Sequence, residues 1–135
     1  MNPERILIDT SAWIMGFKKS TDKTILDFIK ESISADLVVT TPLIILELIQ
    51  GCKTGKERDD MRLRLDCLNV IDLTPDVWTI AYDMAFSLRR KGITVPVVDI
   101  LIAALALETN CILLHFDRHY EMIGRTNKKL RLKSM

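Results

Sequence analysis

The stretch Thr94 to Tyr120, TVPVVDILIAALALETNCILLHFDRHY, limits this chain more than any other. Between Asp99 and Glu108 every residue is apolar, so a helix there has no face to show water. Cys111-Ile112-Leu113-Leu114 then reads as a strand buried on both sides, because its side chains do not alternate between apolar and polar. A covered helix feeding a covered strand calls for a parallel sheet with layers on both faces. It also excludes an antiparallel sheet with one wet side. Asp99 stands before this unit and Asp117 follows it.

The same grammar recurs upstream. Ile6-Leu7-Ile8 is an apolar run that ends in Asp9, and Asp9-Thr10-Ser11 offers capping side chains to a helix beginning near Ala12. Lys19 to Thr24 is a polar connection. Ile25, Phe28, Ile29 and Ile33 have helical spacing, and Leu37 to Thr40 reads as a second strand. Thr41-Pro42 starts a helix with a capping hydroxyl and then proline. That helix, LIILELIQG, is apolar nearly all round, closes at Gly51, and has Glu47 as its lone charge.

Lys53 to Asp60 is charged and turn-like. Met61, Leu65 and Leu68 mark an amphipathic helix with Arg58, Arg62 and Arg64 on its polar side. Asn69 to Leu73 is an edge strand. Thr74-Pro75 opens a helix that runs to about Lys91, with Trp78, Ala81, Tyr82, Ala85 and Leu88 on one face. Asp99 opens the next helix, Asn110 ends it in the left-handed conformation, and Lys129 to Lys133 forms a short last strand. Such alternation predicts a three-layer α/β/α sandwich around a central, mostly parallel sheet of four or five strands.

At 135 residues, 48% hydrophobic and 27% charged, the chain suits one domain, 1–135, with its core at about 6–123. No apolar run reaches membrane-spanning length. The start, MNPERILIDTSAW, has no signal-peptide core, so a cytoplasmic protein is expected. Cys52, Cys67 and Cys111 are widely spaced and odd in number, which favours a reducing compartment over disulfides or zinc. The net charge is +1, but the segment from Arg125 onward carries five bases and no acid, leaving the preceding chain at −4. For that basic segment, 125–135, a solvated tail is the simplest reading.

Asp9 and Asp117 both follow buried strands, so both belong to one edge of a parallel sheet, the edge where such sheets place ligands. Asp99, at a helix start, belongs to the same edge. Glu47 lies further along a helix that leaves from it. Four carboxylates without basic partners repel one another unless a hard divalent cation neutralises them, and oxygen ligands suit Mg²⁺ or Mn²⁺. Such an ion activates water for attack on a phosphodiester, and Ser11 adds a hydroxyl. Other chemistries lack their signatures: there is no glycine-rich phosphate loop and no GxSxG elbow. His115 and His119 would share a face with Asp117 in an extended chain, but with no other nitrogen or sulfur ligand nearby, packed or surface histidines are the better account than zinc.

ILIDTSAW, PLIILELIQG, VPVVDILIAALAL and CILLHFDRHYEMI resemble the four acidic motifs of PIN-domain ribonucleases, the small VapC-type toxins above all. The resemblance runs from about Ile6 to Ile123 and implies the PIN-like form of the sandwich. It implies that Asp9 and Asp99 are the principal metal ligands, that Glu47 and Asp117 complete the acidic cluster, and that Ser11 accompanies the first aspartate. It further implies a Mg²⁺-dependent endoribonuclease, Mn²⁺ substituting, that acts as the toxin of a type II toxin–antitoxin system. An RNA substrate, a cognate antitoxin and a homodimer come with it, and Trp13, Ile14 and Phe17 offer an apolar surface for the dimer. In the family the place of His119 often holds a second acid. The change implies one well-bound ion, or a histidine that contacts phosphate. Two other readings are a non-catalytic PIN-fold binding module, which would receive an arginine-bearing peptide in the acidic pocket, and a metal-dependent nuclease acting on DNA.

Overall fold

A computed structural model describes residues 4–18 and 22–134 of the chain. Part of the expected connection, residues 19–21, lies outside the described residues.

Five short strands form one sheet in the order β3-β2-β1-β4-β5, and every pairing is parallel. From β1 (Ile6–Ile8) the chain passes through α1 (Thr10–Phe17) and α2 (Lys23–Ser34) to β2 (Val38–Thr40). It continues through α3 (Pro42–Gln50) and α4 (Gly55–Asp66) to the edge strand β3 (Asn69–Val70). Then it returns, through α5 (Pro75–Arg90) and α6 (Val97–Thr109), to β4 (Ile112–Leu114) on the other side of β1. Last, α7 (Arg118–Thr126) leads to β5 (Leu132–Lys133). Right-handed crossovers in opposite directions put α1–α4 on one face of the sheet and α5–α7 on the other. The result is the expected three-layer sandwich.

Hydrophobic burial accounts for this arrangement. Leu7, Ile8, Val39, Leu113 and Leu114 are wholly buried, as central parallel strands require. In α6, Ile100 and every residue from Ile102 to Ala106 is buried. Asn110 closes the helix with φ 54°, the left-handed conformation anticipated for it. β1 pairs with β4 from Ile6↔Ile112 to Ile8↔Leu114, so both strands end level. Their connections leave in opposite directions there, which opens a crevice beyond their carboxyl ends.

Several local expectations are corrected. α4 begins at Gly55, inside the stretch read as a turn, because the Thr54 hydroxyl caps it by accepting from the Glu57 N–H. α6 begins two residues before Asp99, so Asp99 sits in its first turn and Pro96 holds the cap position. Thr41 occupies the cap position of α3, yet its hydroxyl is buried without a hydrogen-bond partner among the described residues. α5 carries two apolar stripes. It buries Val77, Ala81, Met84 and Leu88, whereas Trp78, Tyr82 and Phe86 are exposed, because only the first stripe meets α6.

The basic segment is not a free tail. Arg125 lies in α7, Arg131 pairs with Glu4, and the Lys133 ammonium sits 4.9 Å over the Phe28 ring. α7 itself was not foreseen. It packs so tightly on β5 that a Cβ at Gly124 would come within 2.9 Å of Leu132 Cδ1. No described helix is long and apolar enough to cross a membrane.

Because α6 is sealed by its neighbours, Leu105→Ala should lower stability by about 2–5 kcal/mol. The same truncation at exposed Val97 should change it by less than about 0.5 kcal/mol. Urea denaturation of both variants checks the contrast.

Candidate metal centre

Asp9 stands immediately past β1, where its N–H bonds to Leu114 O at 3.0 Å and extends the β1–β4 ladder by one rung. Its carboxylate is almost fully enclosed, at 4% exposure. Oδ2 accepts from the Ser11 N–H at 3.0 Å and the Ser11 hydroxyl at 2.6 Å, which caps α1. Oδ1 accepts from the Tyr120 hydroxyl at 2.6 Å. The cap role and the site role, alternatives in the sequence, are therefore carried by different oxygens of one side chain. Ser11 Oγ also accepts from the Phe116 N–H at 3.0 Å, tying the segment after β4 to the start of α1.

Asp99 projects from the first turn of α6. Its Oδ2 lies 2.9 Å from His119 Nδ1, and its Oδ1 is 3.4 Å from the Tyr120 hydroxyl. Asp117 caps α7 by accepting from the His119 N–H at 2.9 Å. The same Asp117 oxygen is 2.9 Å from His119 Nδ1. Asp99, Asp117 and His119 thus offer one ligand atom each within 4.8 Å of one another. Asp9 adjoins this group through Tyr120. Glu47 stands at its margin, in the second turn of α3, where Oε1 accepts from the Thr10 hydroxyl at 2.8 Å.

Electrostatics records the crowding. Burial, then repulsion from Asp117 and Asp9, pushes Asp99 up to about 6, against the opposing pull of His119. Burial raises Glu47 as well, with the Thr10 bond opposing and Asp9 adding repulsion. Burial, and after it Asp9 and Asp99, holds Tyr120 far above the usual phenol range, so its hydroxyl stays a donor. None of Asp9, Glu47, Asp99 and Asp117 has a lysine or arginine partner among the described residues. A carboxylate-rich set that lacks fixed counter-charge fits a hard divalent cation such as Mg²⁺ or Mn²⁺.

Three contributors escape a reading of the sequence. Tyr120 sits three residues past Asp117, and only the turn into α7 brings its hydroxyl back between Asp9 and Asp99. Thr10 is hidden inside the first motif. His115 is buried and close to the Tyr120 ring (centroids 5.3 Å apart), and its Nδ1 accepts from the Asp117 N–H at 3.2 Å. The two histidines do not share a face, because the chain stops being extended at Asp117 and coils into α7.

The family model described as PIN domain matches residues 6–125. The chain belongs to the PIN domain family. Solved structures similar to this PIN domain include a DNA-bound VapBC from Salmonella typhimurium, at 19% identity and TM-score 0.79, covering 98% of each chain. VapBC-1 from nontypeable Haemophilus influenzae matches at 20% identity and TM-score 0.77, covering 96% of each chain. VapC20 of Mycobacterium tuberculosis, described as a sarcin–ricin loop cleaving toxin, matches at 20% identity and TM-score 0.61, over 88% of this chain and 95% of that one. At these identities the likeness is one of fold.

The raised Asp99 has a consequence for stability without metal. The unfolded carboxyl ionises near 3.8 and the folded one near 6, so folding is favoured below the first value and loses that advantage as pH rises through the second. A gap of about two pH units corresponds to roughly 3 kcal/mol. The facing groups are Asp9, Asp117, His119 and Tyr120. In excess chelator, Asp99→Asn should therefore be more stable than the parent by roughly 2–3 kcal/mol near pH 7.5, with the gap closing toward pH 4. Urea titrations at several pH values measure it; a gap that does not vary with pH would refute the crowding.

Proposed function

We propose that this PIN domain is a Mg²⁺-dependent endoribonuclease, with Mn²⁺ able to substitute, that serves as the toxin of a type II toxin–antitoxin system in the cytoplasm. The observation that carries the reading is the meeting of Asp9 and Asp99 at Tyr120, and of Asp99 and Asp117 at His119, at the crevice between β1 and β4, without a lysine or arginine partner among the described residues.

When bound, a divalent cation supplies an acidified water and neutralises charge that develops on a phosphodiester during in-line attack. Asp99 and Asp117, partly open to solvent, would hold it. Asp9 backs them from the floor of the crevice, with its direction set by Ser11 and Tyr120. Glu47, at the margin, orients the attacking water. Hydrolysis leaves a 5′-phosphate and a 3′-hydroxyl. A nucleic-acid substrate is supported by a cavity of about 330 Å³ beside His119, where Arg118 and Arg125, alongside Thr94, Glu121 and Met122, offer cations to phosphates. RNA in particular is supported by the likeness to VapC20, a sarcin–ricin loop cleaving toxin.

An antitoxin partner is supported by the VapBC complexes among the structural neighbours and by an apolar groove of about 1040 Å³ between α1–α2 and α3–α4. Trp13 is buried and forms part of the groove's floor, while Ile14 and Phe17 are exposed along it. The groove reaches Glu47, so a helix seated there would lie against the acidic site. On this reading the antitoxin takes the Trp13, Ile14 and Phe17 surface that the sequence offers to a dimer. A homodimer is better served by Trp78, Tyr82 and Phe86, an exposed aromatic stripe on α5.

Asp9→Asn and Asp99→Asn should each lower RNA cleavage at least about a hundredfold and relieve growth arrest with the fold intact. Full activity in either variant, or in excess chelator, would overturn the mechanism. Single-stranded DNA of the same sequence should remain uncut. Phe17→Glu should leave cleavage unchanged and abolish neutralisation by the antitoxin, as read by co-expression and pull-down.

A further inference from the structure

His119 occupies a position where the family resemblance implies an acid, and its ring is turned into the candidate metal centre. Nδ1 lies 2.9 Å from Asp99 Oδ2 and 2.9 Å from Asp117 Oδ1. Two neighbouring ligands on an octahedral ion with bonds of about 2.1 Å are themselves about 3 Å apart. The spacing therefore already matches the edge of a coordination shell. All three side chains are partly exposed, at 27%, 14% and 31%, so an ion can reach them from solvent.

The backbone fixes the ring's approach. His119 is the second residue of α7, and its N–H is held by the Asp117 cap. Nε2 has no hydrogen-bond partner among the described residues, and His119 lines a cavity together with Arg118 and Arg125. Nothing else competes for the lone pair on Nδ1 when Nε2 carries the proton.

We propose that Nδ1 of His119 is a direct ligand of the divalent cation, together with Asp99 and Asp117. The centre is then a mixed nitrogen–oxygen site. It favours Mn²⁺ over Mg²⁺ more than an all-carboxylate site does, because imidazole suits later first-row metals and Mg²⁺ prefers oxygen. This rests on the reading of the centre as a metal site. It adds the identity of one ligand and a metal preference that the acidic motifs alone do not imply.

The test uses the full chain loaded with Mn²⁺ alone. Electron spin-echo envelope modulation should show coupling from a directly bound ¹⁴N, and the coupling should vanish in His119→Ala and His119→Asp. Mn²⁺ affinity, followed by the signal of the free aqueous ion, should fall about tenfold or more in His119→Ala. His119→Asp should shift preference back toward Mg²⁺ in competition titrations. Both variants replace a partly exposed side chain, and circular dichroism confirms that they fold. Mn²⁺ bound without nitrogen coupling, or bound more tightly by His119→Ala, would overturn the proposal and leave the metal site standing. The second result would mean that the imidazole takes the place of the cation. Absence of any divalent binding would overturn both.

Discussion

The pairing of β1 with β4 is what the rest of this molecule depends on. These strands are neighbours in space although most of the chain lies between them, and they are the place where the sheet's connections change direction. Their ladder does not stop at the last strand residue. It continues through the Asp9 N–H to Leu114 O and is locked by Ser11, which bonds both Asp9 and the Phe116 N–H. Parallel pairing carries no sequence specificity of its own. Register here is set by the burial of α6 and by these polar clasps at one end. A shift of one residue would move Asp9 and Asp117 out of reach of each other's partners.

The second constraint is repulsion. Asp9 is enclosed, Asp99 nearly so, and Asp117 is close by. Burial, and after it their repulsion, makes Asp99 reluctant to ionise. Tyr120 softens the conflict by donating to Asp9 and leaning toward Asp99. A neutral donor can only share a proton; it cannot cancel charge. The cluster is therefore one that a divalent cation would stabilise, and this is the physical content of the proposed nuclease reading.

Much of the fold was legible because burial in a parallel sheet erases periodicity. Ile6–Ile8, Val38–Thr40 and Ile112–Leu114 all appear as short unbroken apolar runs, and α6 as a longer one. What was hidden depended on context. The first half of α4, Gly55 to Asp60, has no apolar side chain, so it looks like a turn, whereas Met61 and Leu65 mark the rest as helix. α5 has two apolar stripes, and composition alone does not say which one meets α6. α7 is short, and its start depends on the Asp117 cap. The acids were visible as charges in apolar settings. Tyr120 and Thr10 were not, since a hydroxyl next to a core residue has no distinctive pattern until the fold supplies its partner. His119 was visible as a departure, but its direction was a matter of α7 geometry.

Asp9 and Asp117 are each the last residue of an extended segment and the first support of a helix. No residue separates Asp9 from β1, and only His115 and Phe116, the latter bonded to Ser11, separate Asp117 from β4, so the centre has little hinge of its own. Its local opening requires undoing a helix cap and the adjacent ladder together, which ties its persistence to that of the core. Such a site cannot be tuned by letting a lid swing. Under the proposed function, control comes from outside, by a partner that fills the crevice or its approaches. A rigid cleft suits that form of regulation, since a blocking partner meets a surface already in its bound shape and spends little on ordering it.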